Sequence, residues 1–73
     1  MPLKPLPFHE VYRRLKAAGF SEASQKGSHV KFSKVNLEGT RIAIVPKHAE
    51  VKVGTMRSIL RQAGITLEEW DKL

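Results

Sequence analysis

Cysteine is absent from the 73 residues, which excludes a disulfide framework and fits a reducing compartment. Long apolar runs are missing too. No stretch has the length of a membrane span, and no signal-peptide pattern opens the chain. Metal-ligand spacing is lacking: His9, His29 and His48 are scattered, with no HxxxH, HExxH or carboxylate cluster beside them, so no metal or cofactor is expected. No Gly-rich loop cradles a nucleotide and no serine triad pattern is present. Acidic residues are few, at 7 Asp and Glu against 13 Lys and Arg. The net charge of +6 and a pI near 10.1 point to polyanions, nucleic acid first among them. The length suits one small domain over residues 1–73, expected to be cytoplasmic, with about 60% of its unfolded surface buried.

Apolar and polar periodicity then sets the element order. Residues 1–7, with Pro2, Pro5 and Pro7, read as an extended lead-in, Pro7 suiting the first turn of a helix. Phe8, Val11, Tyr12, Leu15 and Ala18 form a helical stripe that ends at Gly19. Phe20 anchors a short polar segment to Lys26 that fits an edge strand. Gly27-Ser28 turns the chain into a second strand, His29 to Lys34, with Val30 and Phe32 on one face and His29, Lys31 and Ser33 on the other. Asn36 to Gly39 reads as a loop. A third strand, Arg41 to Val45, ends at Pro46. Its two isoleucines, Ile42 and Ile44, are expected on the core face, with Arg41, Ala43 and Val45 opposite. After a connector, Met56, Ile59, Leu60 and Ala63 mark a helix from about Val53 to Gly64, with Arg57 and Arg61 one turn apart on another face. Thr66 and Glu69 form a capping box for a short closing helix anchored by Trp70.

These elements predict an α+β domain of order α-β-β-β-α. A three-stranded antiparallel sheet carries both helices on one face, as in double-stranded-RNA-binding domains. The other face is left open and displays His29, Lys31, Ser33 and Arg41. A histidine at the start of a strand is held rigidly yet reaches solvent, which suits acid–base chemistry or anion contact. RNA brings its own nucleophile, the 2′-hydroxyl, so a base, an acid and cations near the phosphate suffice to cleave it. His29 can supply the base or the acid. Lys26 and Lys31 flank it and can stabilise developing negative charge. His48, after Pro46, is a candidate assisting residue or a structural one. Arg57 and Arg61 are candidate phosphate contacts. The alternative is a module that grips RNA without chemistry.

Taken together, the ordered blocks resemble the HicA family of toxins from toxin–antitoxin pairs. These blocks are Gly19-Phe20, the run from Lys26 to Phe32 (Lys-Gly-Ser-His-Val-Lys-Phe), Val45-Pro46 with His48, and the stretch from Gly54 to Ile65. The resemblance implies a double-stranded-RNA-binding-like fold, ribonuclease activity against mRNA and neutralisation by a HicB-type antitoxin that covers the active site. By matching position, His29 corresponds to the family's catalytic histidine and Gly27 to its turn glycine. Together with Lys26, Ser28 and Lys31 they make up the expected site. Val53 stands where relatives often have proline, which touches the helix start. The polar stretch from Ser33 to Gly39 is longer than a minimal hairpin and bears on how RNA or antitoxin meets that edge.

Overall fold

Proline and glycine bracket the first helix. The computed structural model describes residues 3–73, so Met1 and Pro2 of the lead-in lie outside the described residues. Pro7 is the N-cap residue of α1 (Phe8–Ala17), and its carbonyl accepts from the Glu10 and Val11 amides. The Lys34 ammonium donates to the Ala18 carbonyl at 2.8 Å, placing a positive charge at the helix C-terminus, where the macrodipole favours it. Three antiparallel strands follow, β1 (Ser21–Lys26), β2 (His29–Asn36) and β3 (Gly39–Pro46), in spatial order β1-β2-β3. Then come α2 (Val53–Ala63) and α3 (Leu67–Asp71). The expected α-β-β-β-α order is present, as is the capping box. The Glu69 amide donates to Thr66 Oγ1 at 3.1 Å, and the Thr66 amide donates to Glu69 Oε1 at 2.9 Å. The Thr66 amide, and after it the Thr66 hydroxyl, hold the Glu69 carboxyl below its ordinary value.

The helices cover one sheet face, as expected, but β3 presents the opposite set of residues to them. Val30 pairs with Val45 and Phe32 with Ala43, and all four are buried. Ile42 and Ile44 pair with Ser33 and Lys31 and are 41% and 38% exposed on the open side. The expectation that these isoleucines face the core is therefore corrected. The reason is register and volume. Phe32 fills the space under α1, with Tyr12 edge-on at 5.5 Å between ring centroids. A small residue beside it, Ala43, lets the layers close. Arg41 moves with this register. It pairs with Lys34 on the helix-facing side, and its guanidinium lies against Gly64 at the end of α2. It is not on the open face. A methyl group at Gly64 would sit 2.9 Å from the Arg41 Cζ, which a movable side chain can yield, and the backbone there has φ of 71°, the left-handed conformation that favours glycine.

The expected 36–39 loop is also tighter than its composition suggests. β2 and β3 pair as far as Asn36 and Gly39, and only Leu37-Glu38 lies between them. Asn36 Oδ1 accepts from the Glu38 amide at 3.0 Å, a side-chain mimic of a backbone turn. The long polar stretch thus lengthens two strands and does not form a floppy loop. Leu6 and Val51 exchange backbone hydrogen bonds, tying the lead-in to the connector before α2. On the far side, Glu10 gathers Arg13 (2.7 Å) and Arg14 (2.9 Å). Arg14 in turn donates to the Trp70 carbonyl at 3.1 Å and lies 5.3 Å from the centre of its ring. This clamp fixes α3 to α1 with Trp70 buried between layers. The two arginines hold the Glu10 carboxyl at about 2, well below its ordinary 4.5.

Candidate functional site on the open sheet face

The site starts from the turn between β1 and β2. Lys26 and His29 are paired across a two-residue connection, Gly27-Ser28. Gly27 has φ of 60°, while no residue other than glycine has positive φ among the described residues. That is the pattern of a hairpin turn with glycine first, whose twist matches the strands it joins. A bulge between Glu22 and Ser24 shifts the register of β1 by one residue. That shift affects only Glu22 and Ser21. Nearer the turn, the two-residue connection itself sets Ser24 opposite Lys31 and Lys26 opposite His29, so both lysines share the face of the imidazole.

β3 completes the face from the other side. Pro46 is the cross-strand partner of His29 and Ile44 that of Lys31. The Lys47 amide donates to the Ser28 carbonyl, which carries the chain at 46–48 alongside the turn. The His48 amide folds back onto the Pro46 carbonyl at 2.9 Å. His48 is thus brought to the same corner as His29, through Pro46. Lys47 was not singled out by sequence. Its signal lay in its place directly after the strand-ending Pro46, and its ammonium stands 5.9 Å from the Phe8 ring centre.

Lys26, His29, Lys31 and His48 are all exposed. Among the described residues, their side chains make no hydrogen bond or ion pair, so their donors and acceptors are available to a ligand. The open face is also more apolar than expected. Val35 is 79% exposed and, two residues beyond Ser33 in β2, continues a stripe with Ile42 and Ile44. Arg57 and Arg61 lie elsewhere. They line a groove on the helical layer with Leu3, Leu60, Ile65 and Leu67, and no sheet residue takes part in it. Lys26, Gly27, Ser28, His29 and Lys31 therefore come together, and Arg57 and Arg61 form a second, separate group.

Among the described residues, no three His, Cys, Asp or Glu side chains are grouped to hold a metal ion, and no helix is long and apolar enough to cross a membrane. What the corner offers is an imidazole on a rigid element, two flanking ammonium groups and the exposed amide corner of a glycine turn. That set can move a proton and hold an anion. No curated protein matches the chain. The family model described as HicA toxin of bacterial toxin-antitoxin systems matches residues 8–65. That span runs from α1 through the sheet to the end of α2, with the whole His29 corner inside it, and the chain accordingly belongs to the HicA toxin family.

Proposed function

We propose that this toxin is a metal-independent endoribonuclease acting on mRNA in the cytoplasm, with His29 as general acid or base. The observation that carries the reading is the exposed His29 at a rigid turn–strand junction, flanked by Lys26 and Lys31 on an open face. In the reaction a base takes the proton of the ribose 2′-hydroxyl, and that oxygen attacks the adjacent phosphorus. The bond to the 5′-oxygen breaks and an acid protonates the leaving oxygen. The products are a 2′,3′-cyclic phosphate and a 5′-hydroxyl, with no redox change and no metal in the balance. His29 takes one of the two proton roles, and His48 is the candidate for the other. Lys26 and Lys31, with the Gly27-Ser28 turn, bind the phosphate and stabilise the charge that develops on it. An α-β-β-β-α order like that of double-stranded-RNA-binding domains is in keeping with an RNA substrate.

The same face is where a HicB-type antitoxin docks and buries His29. A basic corner steers an acidic partner, and the exposed Ile42, Ile44 and Val35 give that partner an apolar surface to bury, which RNA would not use. The decisive experiment is His29→Ala in a cleavage assay with purified protein. The expected result is a rate lower by about 10²–10⁴ with an unchanged circular dichroism spectrum. A folded variant that still cleaves at the original rate would remove His29 from the chemistry and favour a module that only binds RNA.

A further inference from the structure

The groove on the helical layer has features that the sheet face does not account for. It encloses about 340 Å³ and is lined by Leu3, Arg57, Leu60, Arg61, Ile65 and Leu67. Its floor is aliphatic and its rim is cationic. Arg57 and Arg61 stand one helical turn apart on α2, and among the described residues neither guanidinium has a hydrogen bond or ion pair. Among the described residues no carboxylate lines the groove. Elsewhere Arg13 and Arg14 are engaged by Glu10, and Lys34 by the Ala18 carbonyl. Leu67, at the start of α3 between the polar Thr66 and Glu68, is a large apolar side chain left 46% exposed.

We infer that this groove takes an acidic amphipathic segment of the antitoxin, as a second contact remote from His29. Two observations choose a protein segment over nucleic acid. The four apolar lining residues are aliphatic, and single-stranded nucleic acid is normally held on aromatic platforms. A phosphodiester backbone also has nothing to bury against Leu3, Leu60, Ile65 and Leu67. An amphipathic helix does: its apolar side chains seat on the floor, and carboxylates four residues apart meet Arg57 and Arg61 at the same spacing. The inference rests on membership of a toxin–antitoxin family and not on the ribonuclease reading. The antitoxin then grips the toxin on both layers, one contact masking the sheet face and one anchoring on α2. Linked contacts of this kind raise affinity through effective concentration.

The test measures binding between two purified proteins, so it stands whether or not the toxin cleaves RNA. The cognate antitoxin is titrated into the full toxin, into the Arg57→Glu/Arg61→Glu variant and into Leu67→Gln. The expected result is an affinity at least about tenfold weaker for the charge reversal and several-fold weaker for Leu67→Gln, mostly through faster dissociation. Leu67→Gln retains its cleavage rate. Hydrogen exchange on the unsubstituted complex checks this independently of variant folding, with antitoxin protecting the amides at 57–61 and 65–67. Affinity within twofold of the original, together with unchanged exchange over these residues, overturns the inference. So does a charge reversal that weakens binding of a non-cleavable 2′-deoxy-substituted RNA as much as it weakens antitoxin binding, because the groove is then a general anion surface.

Discussion

The two faces of the sheet are built from the same strands and live in different solvents. In β2, Val30 and Phe32 are buried while His29 and Lys31, their immediate neighbours, are exposed. In β3, Ala43 and Val45 are buried while Ile42 and Ile44 are not. The covered face obeys a volume rule, with a large Phe32 beside a small Ala43 under α1 and α2. The open face obeys no hydrophobicity rule at all. It carries two isoleucines among lysines, serines and a histidine, so apolar character alone does not mark the core side of this sheet. What marks it is the cross-strand partner: Val30 meets Val45, and Lys31 meets Ile44. An apolar side chain left outside by that pairing costs little in folding and is available to a partner.

Substitutions that exchange the two environments should break this contrast most severely. Val45→Lys buries an unpaired charge at a fully covered position. A domain of this size has about 4–11 kcal/mol of stability, and a penalty above about 4 kcal/mol should leave the protein largely unfolded in urea titration. Phe32→Ala, on the same side, should lose about 3–5 kcal/mol. Ile44→Thr and Ile42→Thr, on the open face, should each stay within about 1 kcal/mol while weakening antitoxin binding. If Ile44→Thr proves as destabilising as Phe32→Ala, the two faces have been assigned the wrong way round.

Smaller effects sharpen the same contrast. Gly27→Ala forces a side chain onto positive φ, with open space around it. It should cost about 1–2 kcal/mol, and the strained turn should displace His29 enough to lower cleavage. Lys31→Gln should weaken RNA binding evenly across sequences and reduce the slope of log affinity against log salt by about 0.7, one contact's worth for a single strand. Equal slopes for the variant and the original protein would remove Lys31 from the phosphate surface. Acid should act on the helical side. The Glu10 carboxyl is held at about 2 in the fold against an ordinary 4.5. A depressed carboxyl stabilises the folded state fully above its ordinary value, and that contribution is lost as pH falls through 4.5 toward 2. Denaturation profiles should therefore show a decline in stability across this window that Glu10→Gln flattens.

Element order, the capping box, the α2 stripe and the grouping of Lys26, His29 and Lys31 about the Gly27-Ser28 turn were legible in the sequence, because each follows local spacing. The reading of His29 as a reacting group came from the family resemblance and not from spacing. The face of β3 was not legible. Ile42 and Ile44 are larger and more apolar than Ala43 and Val45, so hydrophobicity points to the wrong face, whereas counting back symmetrically through the Asn36–Gly39 turn sets Val45 opposite Val30 and Ala43 opposite Phe32. One register step decides every side chain in the strand. The misplacement of Arg41 is the same error. The Leu6–Val51 bridge and the Lys47 contact with Ser28 escaped for a different reason: each joins segments distant in sequence through backbone atoms, which leave no mark on residue type.

The open face as a site of metal-free proton transfer is tested most directly by the ends of the RNA it produces. Purified toxin and its His29→Ala variant are incubated with a defined mRNA fragment in excess EDTA, and the products are resolved by end chemistry. The account predicts cleavage by the unsubstituted protein at its full rate, 2′,3′-cyclic phosphate and 5′-hydroxyl ends, and loss of both with His29→Ala. Activity that disappears on chelation and returns with a divalent ion, or cleavage at a position whose 2′-hydroxyl has been removed, would contradict it.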